Sequence, residues 1–71
     1  MIKLPATDLD DYKRGIQHFY GVKPGNYAKG QRVILFNGND QALFRIEDVL
    51  HIGRMLKLGL SMEVEELEKC L

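Results

Sequence analysis

Five basic side chains, Lys13, Arg14, Lys23, Lys29 and Arg32, fall between Tyr12 and Asn39 with no acidic residue among them. Tyr12, Phe19, Tyr20, Tyr27 and Phe36 are interleaved with them. Cations neutralise phosphates, and aromatic rings stack on unpaired bases or pack on sugar, so a polynucleotide is the ligand chemistry this mixture fits. The formal net charge of the whole chain is zero, which puts the balancing carboxylates at the two ends. Such segregation has two resolutions: an anionic partner held by the middle segment, or an acidic end folded over it within the protein. On the first, Lys13, Arg14, Lys23, Lys29, Arg32, Arg45 and Arg54 are the expected phosphate contacts, with Tyr27 as a stacking or anchoring ring. If about five of these cations met duplex phosphates, log affinity would fall with log salt at a slope near −4.5.

Other chemistries find little support. Cys70 is the single cysteine, and with only His18 and His51 beside it no zinc pattern can be written. It reads as a small apolar residue near a terminus. Neither a Ser/His/Asp nor a Cys/His arrangement is suggested by spacing, so no enzyme, cofactor or metal is expected. Residues 25–32 approach a phosphate-binding loop but lack the Lys-Ser/Thr that must follow the last glycine. Asp8, Asp10 and Asp11 are explained by the positive end of a helix dipole without a cation.

The elements that must position the cations follow from pattern. Ile2 to Leu4 suits a short strand before Pro5. Thr7 can cap a helix from Asp8 to about Tyr20, with Leu9, Tyr12, Ile16 and Phe19 on one face and Gly21 as the stop. Pro24-Gly25 suits a type II turn in a loop over 21–30. Two apolar runs, Arg32 to Phe36 and Gln41 to Ile46, flank Asn37-Gly38-Asn39-Asp40 and predict a tight hairpin. Asn37 facing Asp40 sets Val33 against Phe44 and Leu35 against Ala42, on one face. Ile34, Phe36 and Leu43 share the other, where Arg32 meets Arg45. Like charges directly opposite repel slightly, so the pair is easier to explain with an external anion nearby, or equally with Glu47 or solvent around it. From Glu47 the spacing of Ile46, Val49, Leu50, Gly53 and Leu56 predicts a helix to about Gly59. Ser61 then caps a second, glutamate-rich helix with Val64, Leu67 and Leu71 on its apolar face.

Residues 45–67, RIEDVLHIGRMLKLGLSMEVEEL, resemble the segment after the wing in MerR-type transcription regulators. The preceding hairpin lies where that family's wing would be. The resemblance implies that Asp48, Val49, Ile52, Leu56, Gly59 and Leu60 are scaffold positions and that Arg54 contacts the phosphate backbone. Residues 1–31 depart from the family, showing one helix where a helix-turn-helix would stand.

The chain's 71 residues suit one domain, 1–71, of limited buried surface, which a bound partner or dimerisation would help. The expected architecture is α+β, a β-hairpin packed on two or three short helices in a winged-helix-like arrangement. The longest apolar run, Val33 to Phe36, is far below the ~20 residues that span a bilayer, so no membrane partner is expected and a cytoplasmic location is the default. The expected function is a small non-enzymatic regulator, of prokaryotic or phage type, contacting nucleic acid. The alternative is a protein-binding regulator or inhibitor module docking on a larger protein or on itself through Ile34, Phe36 and Leu43. A pI near 6.7 suits that alternative.

Overall fold

The computed structural model describes residues 1–15 and 19–63. Five strands and one short helix occur in the order β1 (Ile2–Pro5), α1 (Leu9–Lys13), β2 (Phe19–Val22), β3 (Arg32–Asn37), β4 (Asp40–Ile52) and β5 (Met55–Met62). They form a single mixed sheet ordered β1-β3-β4-β5-β2, with β1 parallel to β3 and every other pair antiparallel.

The sheet is curled. β1 and β2 are its two edges, yet the Tyr20 hydroxyl on β2 donates to the Pro5 carbonyl on β1. The helix fills the concave side, lying against β3 and β5. There Leu9 and Tyr12 join Val22, Val33, Leu35, Phe44, Ile46, Leu56 and Leu58 in the core. The Tyr12 ring meets Phe44 edge-on at 6.1 Å and 77°, and Tyr20 at 6.3 Å. Removing the strap with Tyr20→Phe should cost about 1 kcal/mol, because water can satisfy the exposed Pro5 carbonyl. Hydrogen exchange of the β2 amides, faster in this variant than in the wild type, checks it.

The first hairpin has the expected register, with Asn37 opposite Asp40, Val33 opposite Phe44 and Arg32 opposite Arg45. Its turn takes positive φ at Gly38 alone, and Gly53 repeats the device in a second hairpin, Ile52-Gly53-Arg54-Met55. The short strand at Ile2 is also present, extended to Pro5.

The α+β, winged-helix-like expectation is overturned: the protein is predominantly β, with a single five-residue helix among the described residues. Three errors account for this. The first helix runs only from Leu9 to Lys13; it ends at Arg14, and Gly15 at φ +81° turns the chain away. Asp8, not Thr7, is its N-cap, and makes no side-chain capping bond. Phe19 and Tyr20, expected to end that helix, form a strand with Gly21 and Val22, expected in the loop after it. The helix expected over 47–59 is the second half of β4, a turn and most of β5.

The spacing that suggested this second helix has a β origin. A bulge between Ile46 and Asp48 inserts one residue, so the concave-face positions run 44, 46, 49, 51. The resulting three-residue step imitates helical periodicity. Leu56, seven residues after Val49, lies on the neighbouring strand opposite His51. The helices implied by the MerR-type resemblance are therefore strands over residues 45–62. Gly25 does not take positive φ, so the type II turn is not formed either. Ile16, His18, Cys70 and the apolar face of Val64, Leu67 and Leu71 lie outside the described residues.

Candidate nucleic-acid interface

The convex face of the sheet collects the side chains that alternate with the core. Register places Arg32, Arg45 and Ser61 in one row across β3, β4 and β5. Asp48, Gly59 and Phe19 form the next, across β4, β5 and β2, and Leu50, Lys57 and Gly21 the third. Ile52 and Met55 close the face at the hairpin end, beside Arg54 in the turn.

The central cations do not share one open patch. Arg32 and Arg45 face each other as expected, and the anion between them is Glu63. Its Oε2 lies 2.6 Å from Arg45 Nη2 and 3.6 Å from Arg32 Nε, and its side chain is only 7% exposed. Glu47, the other candidate counter-ion, instead accepts a bond from the Ser61 hydroxyl at 2.7 Å. For this pair the internal resolution of the charge segregation holds. Lys13 pairs with Asp40 at 3.1 Å, at the first hairpin turn. That contact is largely exposed and contributes less than about 1 kcal/mol. Arg14 is exposed just past α1, and Lys29 is exposed in the loop before β3.

Two of the expected cations do converge. Lys23 follows Val22, whose partner Leu56 lies two residues beyond Arg54. One step back along the same face, opposite Gly21, stands Lys57, which sequence reasoning placed inside a helix and passed over. A Cβ on Gly21 would meet Lys57 Nζ at 3.3 Å and Met55 Cε at 3.6 Å, so both side chains lie across the bare backbone of β2. Residues 19–31 and 49–62, which supply β2, its following loop and the arm formed by the outer halves of β4 and β5, contain no carboxylate. Asp48 marks the base of that arm.

The aromatic beside these cations is Phe19, also missed. It is 53% exposed and leans over Gly59, where a Cβ would meet its Cε1 at 3.3 Å. The signal that could have found it is the strict alternation of Leu56, Leu58, Leu60 and Met62 with Lys57, Gly59 and Ser61, which defines β5 and hence a neighbour strand for Phe19-Tyr20-Gly21-Val22. Tyr27 is half-buried against the core with its ring over Gly25, 3.3 Å from where a Cβ would stand. It anchors its loop.

Ile34, Phe36 and Leu43 lie together on the convex face and are each half-buried. A depression of about 300 Å³ lined by Met1, Ile34, Gln41, Ala42 and Leu43 adjoins them. Of the strongly exposed large apolar side chains, Met1 borders this depression, and Phe19, Leu50, Ile52 and Met55 lie on or beside the arm.

Burial, reinforced by Asp8 and Tyr20, pushes the Tyr12 phenol up to about 12; burial, reinforced by Asp8 and Tyr27, raises that of Tyr20. Both sit on the concave side and belong to the core. Among the described residues no group of His, Cys, Asp and Glu could hold a metal ion, and no helix is long and apolar enough to cross a membrane. Comparison with protein-family models, with curated proteins and with solved structures gave no match.

Proposed function

We propose that this protein is a small non-enzymatic regulator that contacts single-stranded nucleic acid through the arm end of its convex face. The observation that supports this reading is the company Phe19 keeps. An exposed ring, Lys57 beside it, and Lys23 and Arg54 at the arm end stand on or next to β2 and β5, whose own residues carry no carboxylate; Asp48 on β4 lies across Gly59 from the ring. Phe19 would stack on a base, and the three cations would track the backbone phosphates. Stacking on an aromatic tolerates any base, so the expected binding is weakly sequence-dependent.

Anisotropy of a labelled single-stranded oligonucleotide, titrated across salt concentration, tests it. Three phosphate contacts predict a log–log slope of about −2 for a single strand. Phe19→Ala should weaken binding by about 1–3 kcal/mol while leaving that slope unchanged. Lys23→Gln, Arg54→Gln and Lys57→Gln should each reduce the slope by about 0.7. A wild-type slope near zero would remove the reading.

One observation favours the alternative, a module that docks on a larger protein. Leu50, Ile52 and Met55 are exposed side by side on the same arm, 41%, 55% and 41% respectively. Exposed apolar side chains grouped at one end, rimmed by cations, suit an apolar patch with an acidic border on a partner. Binding that ignores the oligonucleotide and is lost in Ile52→Asp would select this alternative.

A further inference from the structure

We propose that the outer edge of β4 along the arm, residues 48–52, is a self-association surface. It pairs antiparallel with the same edge of a second copy of this chain, about a two-fold axis at Leu50. The inference goes beyond the nucleic-acid reading and does not depend on it. Phe19, Lys23 and Lys57 stand on or beside β2 and β5, across the arm from this edge.

Topology leaves this edge open. β3 begins at Arg32, opposite Arg45, and the last backbone bonds on that side of β4 join Ile46 to Gly30 and Gln31. β4 continues from Ile46 to Ile52, and among the described residues that stretch of backbone pairs only with β5. In an antiparallel strand alternate residues turn their N–H and C=O groups away from the partner, so an unpaired ladder faces outward here. The other edges of the sheet are defended. β1 carries Lys3 and ends in Pro5, and β2 is strapped to β1 by the Tyr20 hydroxyl. Residues 48–52, Asp-Val-Leu-His-Ile, include neither lysine nor proline, and the bulge that could twist the edge away lies before them. Leu50 and Ile52 on this stretch are exposed.

A second copy is the occupant that fits the charges. The edge is polarised, with Asp48 at its base and Arg54 just past its tip, and among the described residues neither has an ion-pair partner in its own chain. Antiparallel self-pairing sets base beside tip twice, whereas a parallel pairing would set acid against acid. Opposite residues share a face of a sheet, so the convex positions 48, 50 and 52 must meet one another. An axis at Leu50 does this: Leu50 faces its own copy and Asp48 faces Ile52. Arg54 then lies diagonal to Asp48 of the second copy, within reach of a long side chain. Leu50 and Ile52 form the dry centre of the contact and the ion pairs its rim. The Arg54 guanidinium has five N–H donors, enough to serve this carboxylate and a phosphate together.

The test is sedimentation equilibrium of the full chain over rising concentration, where the mass should move from one chain toward two. Leu50→Glu sets two carboxylates against each other at the axis while facing Lys57 within its own chain. It should raise the dissociation constant by about 100-fold and leave the monomer folded. Asp48→Arg and Arg54→Asp should each associate more weakly than the wild type. An equimolar mixture of the two should associate as well as the wild type, because each mixed ion pair again has opposite charges. Adding Leu50→Glu to both should abolish that rescue. The two positions are about 20 Å apart along the arm, so the rescue cannot arise within one chain. Leu50→Cys in a Cys70→Ser background should oxidise to a disulfide-linked pair, and Ile52→Cys in the same background should not. A mass of one chain up to about 1 mM would overturn the inference. So would a dimer untouched by Leu50→Glu, which would put the contact on another surface. Oligonucleotide binding by a strictly monomeric chain would retain the nucleic-acid reading and remove this one, and dimers that ignore oligonucleotide would do the reverse.

Discussion

Phe44→Ala should lower stability by about 3–5 kcal/mol, the range for emptying an aromatic site in a packed core. Phe44 heads the six side chains with less than 2% exposure, the others being Leu9, Leu35, Ile46, Leu58 and Val33. It stands where β3, β4 and β5 meet, opposite Val33 on one side and Met62 on the other, with the Tyr12 ring edge-on to it. Neither neighbouring strand can move to fill the space without breaking a ladder. A domain of this size holds about 4–10 kcal/mol in total, so the loss is a large share of it. A fall in the urea midpoint with an unchanged slope would establish the effect. A loss under about 1 kcal/mol would mean that the sheet closes over the gap and that the core is not organised around this ring.

Raising pH through the tyrosine range should destabilise the protein. The Tyr12 phenol ionises near 12 in the folded chain, against about 10 when unfolded, because burial first and the Asp8 charge second disfavour the phenolate. A pKa raised by folding means that the folded state holds its proton more tightly. The stabilisation is therefore complete below pH 10 and is lost as pH rises through 12. About two pH units correspond to about 2–3 kcal/mol. The raised phenol of Tyr20 contributes in the same direction. Phenolate absorbance should show delayed ionisation that coincides with loss of the β signal. Tyr12→Phe should flatten the fall in stability over this window, at some cost at neutral pH. A variant that unfolds in alkali as readily as the wild type would place the titrating group elsewhere.

Parts of this fold were legible because local rules sufficed. The hairpin register follows from Asn37-Gly38-Asn39-Asp40 and two alternating runs, which put Arg32 opposite Arg45. The same reasoning left the facing pair to an external anion, or equally to Glu47 or solvent. The acidic end, Glu63 among its residues, was one candidate to neutralise Arg32; that Glu63 also meets Arg45, 18 residues away, was not legible, because it reaches Arg45 only where β5 folds back along β4. The helix expected over 47–59 failed for a definable reason. The bulge at Glu47 shifts the alternation by one, and a three-residue step looks helical when the turn at Gly53 is not recognised. Had Gly53-Arg54 been weighed like Gly38-Asn39, Lys57 and Phe19 would have entered the candidate interface from the start.

The amino-acid order alone determined the first hairpin, the short strand at Ile2, the neutral balance of charge and the lack of acids through the middle of the chain. Those depend on neighbours a few residues apart, where turn chemistry and alternation act directly. Tertiary structure decided which cations are neutralised and which stand free, because ion pairing depends on which strands lie side by side. It also decided that Phe19 faces solvent while Tyr12 is buried. A short helix closed by Gly15 puts one ring over the sheet's hollow, and pairing with β5 turns the other to the convex side.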